Sequence, residues 1–156
     1  MSERSVPTLY EWMGGMPAIE RLFRVFYAKV PSDPLLAPVF ASMSPDHVRH
    51  VSAFVAEVFG GPKTYSEQLG GHPHMIARHV GRKLTEAQRA RWMQLLLQCA
   101  DEIGVPGDPE FRSALVAYLE WGTRIAVLTS NAPSPPSGEA PMPKWGWGEP
   151  KGPFVP

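Results

Sequence analysis

The sequence predicts an all-α body followed by an extended tail, and three observations carry that reading. Apolar residues recur at the helical period in four long stretches, capping patterns mark where helices open, and no segment alternates convincingly as a strand. Thr8-Leu-Tyr-Glu11 is a capping box opening a short helix, which Gly14-Gly15 ends. Pro17 suits a first helical position, and Ile19, Leu22, Phe23, Phe26, Tyr27 and Val30 then keep the helical spacing until Pro31 stops it. The run from Pro34 to Phe40 predicts one short turn of helix leading to an aromatic residue. Ser44 suits an N-cap with Pro45 behind it, opening a helix to Phe59 with His47, Val51, Phe54 and Val58 on one stripe. Thr85-Glu-Ala-Gln88 is a second capping box, and Trp92, Leu95, Leu96, Cys99 and Ile103 share one face of the long helix that Gly104 closes. Asp108-Pro109 starts the last helix, with Phe111, Leu115, Tyr118, Leu119, Gly122 and Ala126 inward.

At 156 residues the chain is long enough for one domain with a substantial core. Fifteen basic and fifteen acidic side chains cancel, so no long-range field argues for nucleic acid or an anionic membrane surface as partner. No apolar run approaches the roughly 20 residues of a membrane helix, and the first residues carry no apolar signal region. The single cysteine, Cys99, excludes an internal disulfide and is compatible with a reducing compartment. The expectation is a cytoplasmic protein, monomeric or weakly dimeric.

Eight of the 18 prolines lie after Asn131, which divides the chain into a body (1–131) and a Pro/Gly/Trp-rich tail (132–156) without regular structure. Pro135-Pro136 typifies its composition. Trp145, Trp147 and Phe154 argue against a plain solvated linker, because each would expose costly apolar surface. The expectation is that Trp145-Gly-Trp147 docks on the body or on a neighbouring subunit; the alternative is an appendage without functional weight.

The most informative stretch runs from Phe59 to His79. Gly60-Gly61-Pro62 stops a helix, a polar loop follows, and a short segment ends by presenting a histidine able to reach a cofactor between helices. Zinc is poorly served, since one cysteine and the pair His72, His74 do not make the usual set of about four ligands. Haem iron needs one strong protein ligand and an apolar slot, and this body offers both.

The order of these features resembles the truncated haemoglobins. Gly14-Gly15, Phe26-Tyr27, Phe40, the run Phe59-Gly-Gly-Pro-Lys-Thr-Tyr65-Ser-Glu-Gln68, His72-Pro73, Arg78-His79 and Trp92 carry the resemblance over about residues 8–130. The tryptophan and the Tyr-Ser-Glu-Gln run are similar to the second group of that family, the O-type.

The resemblance implies a globin with helices stacked two over two around haem b, and His79 as the proximal iron ligand, its other ring nitrogen bonded to a carbonyl or water. It implies Tyr27 and Trp92 as distal hydrogen-bond donors to O2 or another diatomic ligand such as NO or CO. Phe40 and Val51 would pack against the haem, and Tyr65 and Arg78 would bond its propionates. Phe40 stands where many relatives have a tyrosine, which removes one donor. His47 departs further, occupying a gate position where many relatives have a small or hydroxylated residue. It can donate to a ligand, swing as a gate, take the sixth iron position, or face solvent near Ser44. Oxygen binding and transport, oxidation of nitric oxide and peroxidase-like chemistry all suit such a pocket, with a reductase as a candidate partner, and the motifs do not rank them. The competing reading is a haemless sensory or partner-binding module on the same scaffold.

Overall fold

The computed structural model of the protein describes residues 5–134 and 141–155, so the Pro135-Pro136 pair lies outside the described residues. The described chain is helical and has no strand. Helix α1 (Leu9–Met13) opens with Thr8 Oγ1 accepting from the Glu11 N–H, while the Glu11 side chain accepts from the Thr8 N–H. Helix α2 (Gly15–Lys29) starts two residues before Pro17. Proline is tolerated there because N–H groups in the first turn have no intrahelical partner. A 3₁₀ turn, Val30–Ser32, absorbs Pro31.

The segment from Pro34 to Phe40 forms successive turns rather than a turn of helix. Asp33 Oδ1 accepts from the Leu35 and Leu36 amides at 3.1 Å, and the Ala37 N–H reaches Asp33 O at 2.8 Å. Pro38 has no N–H to extend that ladder.

Helix α3 (His47–Val58) begins later than the Ser44-Pro45 signal indicates. Ser44 Oγ accepts from the Asp46 N–H and Ser44 O from the His47 N–H, so Ser44 closes a turn ahead of the helix instead of capping it. Helix α4 (Thr64–Gln68) occupies what the sequence predicts as polar loop. Five residues are too few for a periodic signal, and the helix is held by Glu57 of α3, whose carboxylate accepts from the Ser66 N–H at 2.8 Å and from the Ser66 hydroxyl. Helix α5 (Gly71–His79) carries the histidine at its last position. Helix α6 (Glu86–Glu102) has the Thr85–Gln88 capping box, and α7 (Pro109–Asn131) is capped by Asp108.

Helix α2 packs across α3 and α6, α6 pairs with α7, and α5 lies against α7. This is the two-over-two helical arrangement that the sequence leads one to expect. Phe23, Phe26, Phe59, Phe111 and Leu96 are fully buried where the pairs meet, and Cys99 lies among them as a small hydrophobe. Among the described residues no helix is long and apolar enough to cross a membrane. The Trp145-Gly146-Trp147 segment lies on the body, with Trp147 buried and its Nε1–H donating to Pro7 O at 2.8 Å.

The Gly60-Gly61 break between α3 and α4 has a steric cause. Gly60 has φ +94°, and a Cβ on Gly61 would sit 2.6 Å from the Tyr10 ring and 2.8 Å from the Ala56 carbonyl oxygen. The Tyr10 N–H meanwhile donates to Phe59 O at 3.0 Å, which locks α1 against this turn. Gly61→Ala should therefore destabilise the protein by about 1–3 kcal/mol, as overpacking against a backbone atom does. Urea unfolding of the full chain measures this, and an unchanged midpoint would refute the steric account.

Candidate functional site

One cavity opens between the two helix pairs, walled by α2, α3, α5, α6, α7 and the turns that carry Phe40. Every site residue expected from the sequence lines it: Tyr27, Phe40, His47, Val51, Tyr65, Arg78, His79 and Trp92.

His79 ends α5, and its Nδ1 lies 2.8 Å from the carbonyl oxygen of Met75, one turn earlier. A carbonyl only accepts, so Nδ1 carries the proton and Nε2 holds a lone pair. Burial lowers the His79 pKa below the usual histidine value; the Met75 bond opposes that, and the Arg82 and Arg78 charges add to it. The ring is a neutral imidazole with one nitrogen committed and one available. The segment after it is tied down by α7: the Lys83 N–H donates to Ser130 O at 3.2 Å, the Leu84 N–H to Ser130 Oγ at 3.0 Å, and Asn131 Nδ2 to Leu84 O at 3.0 Å.

Tyr27 lies across the cavity on the inner face of α2. Its ring meets Phe26, Phe40 and His47 edge to face, with centroids 4.8, 5.3 and 4.8 Å away. Burial raises the hydroxyl pKa far above its ordinary value and the Trp92 indole opposes the shift, so Tyr27 stays protonated and able to donate. Its Oη lies 3.0 Å from His47 Nε2. The His47 pKa is pushed down to about 4, first by burial and then by neighbouring positive charge, that of Arg78 foremost. His47 is thus a half-buried, neutral neighbour of Tyr27 rather than a solvated side chain near Ser44. Trp92 packs edge-on to Phe26 at 5.4 Å.

Tyr65 is buried edge-on against Phe54 at 5.0 Å. Burial raises its hydroxyl pKa and the Arg78 charge opposes the rise; both side chains line the cavity. Arg82 joins Arg78 there, its Nε–H donating to Arg78 O at 2.5 Å. His72 and His74 also line the cavity, yet among the described residues no three His, Cys, Asp or Glu side chains cluster as a metal site.

Sequence reasoning missed Phe23, Arg82, Arg89, Tyr118 and Trp121 as cavity residues. Tyr118 was legible as an inward position of the last helix, but an inward stripe does not distinguish a filled core from a slot. Arg89 is a larger surprise: its buried guanidinium bonds Glu86, Glu120 and Thr123, bridging α6 to α7 beside the cavity. A capping box followed by a charged residue reads as a solvated helix face, so nothing local signals it.

The donor set fits a haem. It provides one neutral imidazole with a free Nε2, an aromatic and aliphatic slot, and two guanidiniums with a phenol at one edge for anionic groups. The comparisons with known proteins agree. Residues 8–121 match the family model described as bacterial-like globin. The chain is 32% identical over 118 residues to a group 2 truncated haemoglobin from Bacillus subtilis, covering 76% of this chain and 87% of that protein. The crystal structure of the group II truncated haemoglobin from Bacillus anthracis superposes with a TM-score of 0.72 at 30% identity, covering 84% of this chain and 98% of that one. A truncated oxygen-avid haemoglobin from Bacillus subtilis superposes with a TM-score of 0.68 at 32% identity, covering 78% and 99%. With a matching family model, matching relatives and a two-over-two helical sandwich, the chain belongs to the truncated haemoglobins, in their second group.

Proposed function

We propose that the protein holds haem b through His79 and binds O2 and other diatomic ligands, NO and CO among them, in the cavity beneath Tyr27. The observation that carries this reading is the His79–Met75 hydrogen bond, which fixes a neutral imidazole with Nε2 as its free lone pair. A haemless module has no use for that arrangement facing an apolar slot. When bound, the haem supplies an iron centre able to coordinate diatomic molecules and to exchange an electron. Cys99, the only cysteine, is fully buried in the core and offers no thioether link, which suits a haem of the b type. Arg78, Arg82 and Tyr65 suit the propionates, whose charges a guanidinium pairs well. Phe40 and Val51 supply apolar wall.

The distal chemistry rests on one proton. Tyr27 has a single O–H, and His47 Nε2 is one of its neighbours. When Nε2 carries the His47 proton, it donates to Tyr27 Oη and leaves the Tyr27 O–H free for a ligand; in the other tautomer, Tyr27 spends its proton on His47. A ligand with partial negative charge favours the first arrangement, because a donated hydrogen bond stabilises that charge. His47 in this reading orients Tyr27 and does not take an iron position. Trp92, donor-only at its indole nitrogen, supplies the second proton. The oxygen avidity of the Bacillus subtilis relative supports O2 as one ligand.

Purified protein given haem should show a Soret band that His79→Ala abolishes or shifts, and an unaltered spectrum in that variant would remove His79 as the ligand. In flash photolysis and stopped flow, Tyr27→Phe should raise the O2 dissociation rate by about tenfold or more, the effect of one hydrogen bond to a charged acceptor. Trp92→Phe and His47→Ala should raise it less. Unchanged rates in all three would dissolve the distal network.

The depressed His47 pKa also fixes a pH dependence in the haem-free protein. As pH falls through the range from about 6.5 to about 4, the unfolded chain takes up a proton at this position and the folded chain does not, so stability declines. His47→Gln should flatten that slope in urea unfolding measured at several pH values. A slope identical to that of the unsubstituted chain would show that His47 does not titrate this way.

A further inference from the structure

Residues 141–155 cross the body without helix or strand and touch it at three places. Near the start of this segment, His72 Nδ1–H donates to Pro141 O at 3.0 Å. In the middle, the Trp145 N–H donates to Val58 O at 2.8 Å, and the Trp145 ring lies 5.6 Å from Tyr118 and 5.7 Å from Trp121. Two residues on, Trp147 is buried, bonded to Pro7 O, with Trp12 and Phe111 edge-on at 6.0 and 6.4 Å. His72, Tyr118 and Trp121 all line the haem cavity, so the segment rests on the outside of the cavity wall. The family match ends at residue 121 and leaves it unaccounted for.

Helix α5 needs such support. It has nine residues, opens at Gly70-Gly71 and has no side-chain N-cap. Isolated helices shorter than roughly 12–15 residues are marginal in water, so tertiary contacts must hold this one. Its far end is held through Ser130 and Asn131 of α7. Its near end carries His72, the second residue of the helix, and the strap carbonyl is the group that His72 bonds.

We propose that residues 141–148 are a positioning strap for the proximal histidine. Trp147 anchors the strap on α1 and α7, Trp145 backs the Tyr118–Trp121 wall, and Pro141 fixes the start of α5 through His72. Clamped at both ends, α5 presents His79 in one orientation and retains the haem. This inference rests on the reading of His79 as iron ligand.

The test compares the full chain with a chain ending at Ser134, with His72→Phe and with His72→Gln, whose amide N–H is able to reach the same carbonyl. Hydrogen exchange is followed in the haem-free proteins. In the haem-loaded ones, the rate of haem loss to an excess of apomyoglobin and the ferrous iron–histidine stretching band are recorded. His72→Phe should raise amide exchange within 72–79 and the haem-loss rate by about threefold to tenfold, the effect of one lost hydrogen bond, and truncation should raise both by at least as much. Both should broaden or shift the iron–histidine band, and His72→Gln should restore all three readouts. The proposal is overturned if α5 exchanges as in the full chain, if exchange rises equally in every helix, or if His72→Gln behaves as His72→Phe. Failure of the full chain itself to take up haem would refute the haem reading, and the exchange data would still decide whether the strap holds α5.

Discussion

The hydrogen bond from His79 Nδ1 to the Met75 carbonyl is the constraint on which the rest of the structure turns. It runs between residues one turn apart, so the helix itself sets the ring's tautomer and plane. That economy has a condition, because the bond keeps its geometry only while α5 remains a helix. Nine residues starting at two glycines cannot guarantee this alone. The loop after His79 is accordingly bonded to the end of α7 at Ser130 and Asn131, and α5 packs along α7. Helix α7 in turn is fixed at its start by Asp108, whose carboxylate caps Phe111 and also accepts from Trp12 Nε1 at 2.9 Å. The position of one imidazole therefore draws on contacts from both ends of the longest helix.

The opposite wall follows a different logic, in which burial decides protonation. Tyr27 and His47 sit in the same desolvated corner, and desolvation disfavours the charged form of each. The phenol keeps its proton and the imidazole stays neutral, so the pair exchanges hydrogen-bond roles without creating a charge. Phe40 contributes by what it lacks. Its ring packs on Tyr27 and His47 with centroids 5.3 and 5.8 Å away and offers no hydroxyl to compete for the Tyr27 proton. A neutral, switchable pair beside an apolar ring suits a ligand that gains partial charge only on binding.

How much of this was legible in the sequence depended on whether its cause was local. Both capping boxes formed, since Thr8–Glu11 and Thr85–Gln88 need only residues three apart. The candidate site residues were legible through resemblance to a family pattern, and one cavity gathers all of them. What escaped was set either by partners elsewhere in the fold or by side chains closing turns that the apolar period does not mark. Helix α4 forms because Glu57 reaches forward to Ser66, and the Pro34–Phe40 segment turns as it does because Asp33 folds back on its own amides. Arg89 carried no local signal of its burial, since Glu120 and Thr123 that receive it lie a helix away. The start of α3 shifted for a related reason: Ser44 used its oxygens to close a preceding turn.

Those distant pairs share a location, and that explains why the cavity stays open. A slot in a hydrophobic core tends to close, because side chains gain contacts by moving into it. Here the segments bordering the slot are each tied by a charged group. Asp33 accepts from Arg91 Nε at 2.5 Å and so pins the turns that carry Phe40 to α6. Glu57 pins α4, and with it Tyr65, to α3. Arg89 spans α6 and α7 through Glu86 and Glu120. Asp33, Glu57 and Arg89 are themselves buried, so separating any of them from its partners strips a buried polar group of its hydrogen bonds. Inward collapse would pull these partners apart and incur that penalty, whereas an all-apolar border could slide inward at no such cost. Polar residues outside the apolar periodic pattern are therefore the ones that hold the apolar slot to its width.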